Sequence, residues 1–97
     1  MIVVRGVFQA KYGKGDELVQ LLKEGRTFMP SSGRSARILT DLSGPFFTVV
    51  SEGEYDSFDA WEADAQQTFG HPQFAAWFER MVPLVENGRR EFYHRVD

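Results

Sequence analysis

The sequence predicts a single α+β domain of order β-α-β-β-α-β, its four strands forming one antiparallel sheet. Three observations carry this. The stretches at residues 2–10 and 89–96 are rich in β-branched and aromatic residues with partial period-two alternation. A hairpin signal, Ser43-Gly44-Pro45, stands between two further strand-like runs. Two segments in which apolar residues recur at helical spacing separate the strands.

In order along the chain, Ile2, Val3, Val4, Val7 and Phe8 define the first strand. Gly13 and Gly15 then supply a turn, Asp16 and Glu17 suit a helix N-terminus, and Leu18, Leu21, Leu22 and Gly25 follow at i, i+3, i+4 and i+7, so a helix is expected over residues 16–28. Met29-Pro30-Ser31-Ser32-Gly33 breaks it. Ala36, Ile38, Thr40 and Leu42 alternate with Arg37, Leu39 and Asp41 as a second strand, and the tight turn at Gly44-Pro45 returns the chain into a third at residues 46–52. Asp56 or Ser57 can cap the next helix, whose inner stripe is Phe58, Trp61, Ala65 and Thr68 or Phe69. After Gly70-His71, Pro72 fits a first-turn position, and Phe74, Trp77, Phe78, Met81, Leu84 and Val85 form the buried side of the segment it opens. Asn87-Gly88 is the expected stop before the fourth strand at residues 89–96.

Ninety-seven residues, 42% of them apolar and including nine Phe, suffice for a real core without covalent staples. Cysteine is absent, which removes disulfides, thiol nucleophiles and Cys-based metal sites. A net charge of −3 gives no general attraction to a phosphate backbone, so nucleic acid is not an expected partner. No apolar run approaches the roughly 18 residues of a membrane span, and the start of the chain lacks the pattern of a secretory leader; a cytoplasmic, membrane-free protein is expected.

Both crossover helices should lie on one face of the sheet. Yet the first strand is apolar on both sides, with Ile2, Val4 and Phe8 against Val3 and Val7, and the third repeats this with Phe47 and Val49 against Phe46 and Val50. A half-solvated sheet alternates more cleanly. The second face therefore needs a cover, either another copy of the chain in a sheet-to-sheet homodimer or the segment at residues 70–88 folded over it. The same alternation sends Arg5 to the second face with Val3, Val7 and Gln9, joined by Arg37, Leu39 and Asp41 and by Glu91, Tyr93 and Arg95. Charges there need partners, so Arg5, Arg37 and Tyr93 belong either to an ion-pair network or to the polar fixtures of a ligand pocket.

Other chemistry-bearing residues read more simply. His71 before a proline suits a turn, and neither it nor His94 has metal-ligand spacing around it. Glu52, Glu54, Asp56, Asp59, Glu62 and Asp64 fit the favourable charge of a helix start, and Gly13-Lys14-Gly15 lacks the ending of a phosphate loop. Trp61, Trp77, Phe74 and Phe78 are either core or the wall of a cavity for an aromatic or acyl ligand between helix and sheet. The candidate ligand-binding set is thus Arg5, Arg37, Trp61, Trp77 and Tyr93, with no metal and no cofactor implied.

Four segments taken together resemble a known group. They are Tyr12-Gly13-Lys14-Gly15-Asp16-Glu17-Leu18, Gly44-Pro45-Phe46, Glu52-x-Glu54-Tyr55-x-Ser57-Phe58-Asp59-x-Trp61 and His71-Pro72-Gln73-Phe74. In this order they look like the dimeric α+β barrel superfamily of ferredoxin-like topology, nearest to its NIPSNAP-like bacterial proteins. The resemblance covers nearly the whole chain. It implies a βαββαβ fold and a homodimer. For activity it implies either a small-ligand-binding or scaffold module, or a cofactor-free monooxygenase or isomerase of the antibiotic-biosynthesis-monooxygenase type, with Arg5, Arg37 and Tyr93 polarising an enolate-like substrate. The superfamily's haem-degrading branch resembles this chain at Trp61 and, ten residues on, at His71, but the first strand has no Asn, and aligning the Phe74 stretch with that branch's later helical turn puts the ligand position near Trp77 or Phe78 instead.

Overall fold

In the computed structural model residues 1–29 and 34–97 are described. The elements are β1 (Ile2–Ala10), α1 (Gly15–Gly25), β2 (Arg34–Thr40), β3 (Thr48–Tyr55), α2 (Phe58–Phe69), α3 (Phe74–Met81) and β4 (Val85–His94), with a 3₁₀ turn at Val82–Leu84. Pro30 to Gly33, the heart of the expected breaker cluster, lie outside the described residues. The strands stand in the order β2-β3-β1-β4 and every neighbouring pair is antiparallel.

The helices share one face of the sheet. Leu18 and Leu21 of α1 and Trp77 and Met81 of α3 close on Ala10 and Val49 to form the core. α1 starts where Gly13, at φ +81°, turns the chain and the Lys14 amide donates to the Lys11 carbonyl. Its acidic first turn and Lys23 in its last complement the helix dipole. Ser57 caps α2 by accepting a hydrogen bond from the Ala60 amide at 3.1 Å. Residues 70–88, the alternative cover for the second sheet face, instead supply Trp77 and Met81 to the helix-side core. The domain is a slab of 35 × 35 × 18 Å, two layers thick.

Three expectations are corrected. The hairpin connection is longer than a tight turn: Phe47 takes φ +61°, β3 begins only at Thr48, and the Asp41 amide and carboxylate engage the Thr48 carbonyl and amide across residues 41–47. Phe46 therefore lies in that connection, 68% exposed, and not in the strand. Asn87-Gly88 does not stop a helix. Pro83 in the 3₁₀ turn marks that end, and Gly88 pairs with Phe8 inside β4, where a Cβ would sit 3.3 Å from the Phe8 ring. Phe78 points outward, 47% exposed, because an eight-residue helix has room for one narrow stripe, Phe74, Trp77 and Met81.

Candidate functional site

On the helix-facing surface the middle of the sheet is built from small residues. Gly6 pairs with Ser51 and Val4 with Gly53, and Ser51 in turn faces Ile38. Glycine inside a strand leaves nothing to pack against the layer above. α2 crosses this depression and buries none of its residues fully. What remains between them is a cavity of about 300 Å³, lined among others by Val4, Phe8, Leu22, Ile38, Ala65 and Trp77.

Aromatic contacts hold α2 above the cavity. Phe58, Trp61 and Phe92 form a triangle with ring centroids 4.9–5.5 Å apart. Trp61 and Trp77 both line the cavity, in different ways. Trp77 is a core residue whose Nε1 donates to the Leu21 carbonyl at 2.8 Å, and its indole rests on Gly25. Trp61 is only half-buried, and the Arg90 guanidinium lies 5.1 Å from its ring centroid. The polar lining includes Arg26, Arg90, Tyr55, Asp64 and Thr68. Burial, reinforced by the Asp64 charge, pushes the Tyr55 phenol above its ordinary pKa, so it stays a proton donor at neutrality.

Arg5, Arg37 and Tyr93 are not part of this lining. They lie on the other face of the sheet, where one row of paired residues crosses all four strands: Arg37 on β2, Glu52 on β3, Arg5 on β1 and Glu91 on β4. Arg5 Nε donates to Glu52 Oε1 at 2.9 Å, and Arg37 Nε to Glu52 Oε2. Arg5 also stands over the Tyr93 ring, whose hydroxyl donates to Glu91. The hydrogen bond from Arg5, helped by that from Arg37, holds the Glu52 carboxyl below its ordinary pKa despite its burial. Glu91 is lowered likewise, first by its hydrogen bond from Arg89. The two arginines thus find their partner within one chain.

Sequence reasoning missed Glu52 as that partner, since it falls among the carboxylates preceding α2; its position opposite both Arg5 and Arg37 in a hairpin register was the available signal. It also missed the small-residue floor, for which Gly6 and Gly53 inside strands were the signal. His71 is a turn residue, its Nδ1 accepting from the Gln73 amide at 3.1 Å while its ring packs 5.0 Å from Phe28. Among the described residues no group of three or more His, Asp or Glu is arranged to hold a metal ion. No helix among them is long and apolar enough to cross a membrane.

Comparison with solved structures places this architecture. An uncharacterised NIPSNAP domain protein from Burkholderia xenovorans superposes with a TM-score of 0.88 over 99% of this chain and 95% of its own, at 24% identity. The fold is that of NIPSNAP domain proteins. A NIPSNAP family protein from Agrobacterium tumefaciens follows the same course with a TM-score of 0.83 at 18% identity, covering 99% of this chain and 93% of that one. A candidate antibiotic biosynthesis monooxygenase from Chloroflexus aurantiacus shares this NIPSNAP-like fold at a TM-score of 0.73 and 21% identity, with 99% and 93% covered. The sequence itself matches no family model and no curated protein.

Proposed function

We propose that this NIPSNAP-like chain is a homodimeric module that binds a small organic ligand between α2 and the sheet. The cavity carries the reading: about 300 Å³, largely apolar walls and a few polar groups, which is the composition of a small-molecule site at the lower end of the usual size range. Trp61 and Trp77 of the expected ligand set line it; Arg5, Arg37 and Tyr93 serve the other face, where the second copy packs. In support of that copy, the chain exposes 6440 Å², against about 5,700 Å² for a typical folded monomer of this mass. The cytoplasm is the compartment that goes with this reading. Calorimetric titration with a panel of small aromatic and acyl compounds tests it. Saturable binding that Ala65→Phe abolishes, with helix and strand content unchanged, is expected. A panel in which nothing binds at concentrations up to about 1 mM, the weakest useful affinity, removes the reading.

A second reading is a cofactor-free monooxygenase or isomerase. It is favoured by Tyr55 and Asp64 standing together at the cavity, a donor and a carboxylate positioned to meet charge and protons on an enolate-like substrate. Oxygen-dependent turnover of a quinol-like substrate that Tyr55→Phe lowers about 100-fold or more is the expected signature, the usual scale for a lost proton-transfer group. Turnover indifferent to that change would remove Tyr55 from the mechanism.

A further inference from the structure

Building on the ligand-binding reading, the pattern of ion pairs narrows the class of ligand. Among the arginines whose side chains are described, Arg5 and Arg37 pair with Glu52, Arg80 with Glu24, Arg89 with Glu91 and Arg95 with Glu54. Arg26 and Arg90 alone among them have no carboxylate within salt-bridge distance, and both line the cavity. This occurs in a chain with 14 acidic residues against 11 basic ones, where carboxylates are in excess. Asp64 also lines the cavity, but it is engaged in an interaction of its own. The Arg90 guanidinium is held beside the cavity by a cation–π contact, its central carbon 5.1 Å from the Trp61 ring centroid, with no carboxylate among the described residues to occupy its donors.

We infer that the cavity takes a flat organic acid, its apolar body against the Gly6, Ser51 and Gly53 floor and its carboxylate at Arg90 and Arg26. The aromatic and aliphatic walls accept the body without hydrogen bonds, while a planar guanidinium matches a carboxylate in a two-pronged hydrogen bond. The preference for an acid over its neutral analogue then resides in these two arginines.

Calorimetric titration of the intact protein with 2-naphthoate and with its uncharged counterpart, 2-naphthamide, tests this at low salt. Naphthoate should bind about tenfold more tightly or better, the scale of one charge-assisted hydrogen bond. Arg90→Gln and Arg26→Gln should each lower naphthoate affinity and leave naphthamide affinity unchanged, Arg90→Lys should restore part of the loss, and Arg80→Gln, at an arginine that pairs with Glu24 and does not line the cavity, should have no effect. Equal affinity for the two probes, or a preference for naphthoate that survives the double Arg→Gln change, overturns the inference while leaving the ligand-binding reading standing. If neither probe gives saturable binding the inference falls, and the panel titration described above decides the reading beneath it.

Discussion

Glu52 is 6% exposed and carries a charge, which is tolerable only because two guanidinium groups donate to its two oxygens. Its lowered pKa has a definite consequence for acid stability. A carboxyl whose folded-state pKa is depressed contributes stability that is present above the unfolded-state value and lost as the pH falls through the folded-state value. Glu52→Gln should therefore flatten the acid limb of a stability profile measured by denaturant unfolding. At neutral pH it should cost about 1–3 kcal/mol, the worth of hydrogen bonds to a charged group, with the half-exposed arginines keeping it toward the lower end. At the other pole of the core, an added Cβ at Gly25 would stand 2.9 Å from the Trp77 indole. Gly25→Ala should lose about 1–3 kcal/mol by overpacking, and combining it with Trp77→Phe should recover part of that loss in a double-mutant cycle.

α2 differs from the other helices in having no fully buried residue, and it is fastened by the Ser57 cap and the Phe58, Trp61, Phe92 triangle. Few buried contacts mean a low free energy of local opening. Hydrogen exchange should find its amides the least protected of the three helices, and Ser57→Ala, worth about 1 kcal/mol at a cap, should speed exchange in α2 while leaving α1 unaffected. Helix and strand types were legible in the sequence because each segment carries its own period and its own punctuation, as with Gly13 before α1 and Ser57 before α2. The strand ends were not. Phe46 and Phe47 have the composition of a strand, and only the left-handed backbone at Phe47, set by its packing on Gly15 and Tyr12, takes them out of it. Gly88 has the composition of a helix stop, and only its neighbour Phe8 shows it to be a strand glycine chosen for close approach. The candidate site was partly legible: helical spacing put Trp61 and Trp77 on inward stripes, as core or as cavity wall, and both stand at the cavity, whereas its polar groups Tyr55, Arg26 and Arg90 come from β3, the turn after α1 and β4 and share no local pattern.

At the scale of the whole molecule, Val3, Val7, Val50 and Leu39 stand on the face of a two-layer slab that the helices do not cover, and the proposed pairing makes that slab one half of a dimer. Sedimentation should report a mass of twice 11.1 kDa at micromolar concentration, and Val7→Lys, placing a charge in the apolar row opposite Val50, should return it to the monomer. A wild-type monomer under those conditions removes the proposed pairing. The neighbouring row has a property beyond its own stability. From β2 to β4 it runs positive, negative, positive, negative, so that turned end for end it reads with every sign exchanged. Two copies laid face to face with these rows antiparallel put cation over carboxylate all along the line, and with the rows parallel put like over like. The row is an electrostatic palindrome in reverse sign: in the proposed pairing it would let a surface recognise its own copy in one orientation and refuse the other.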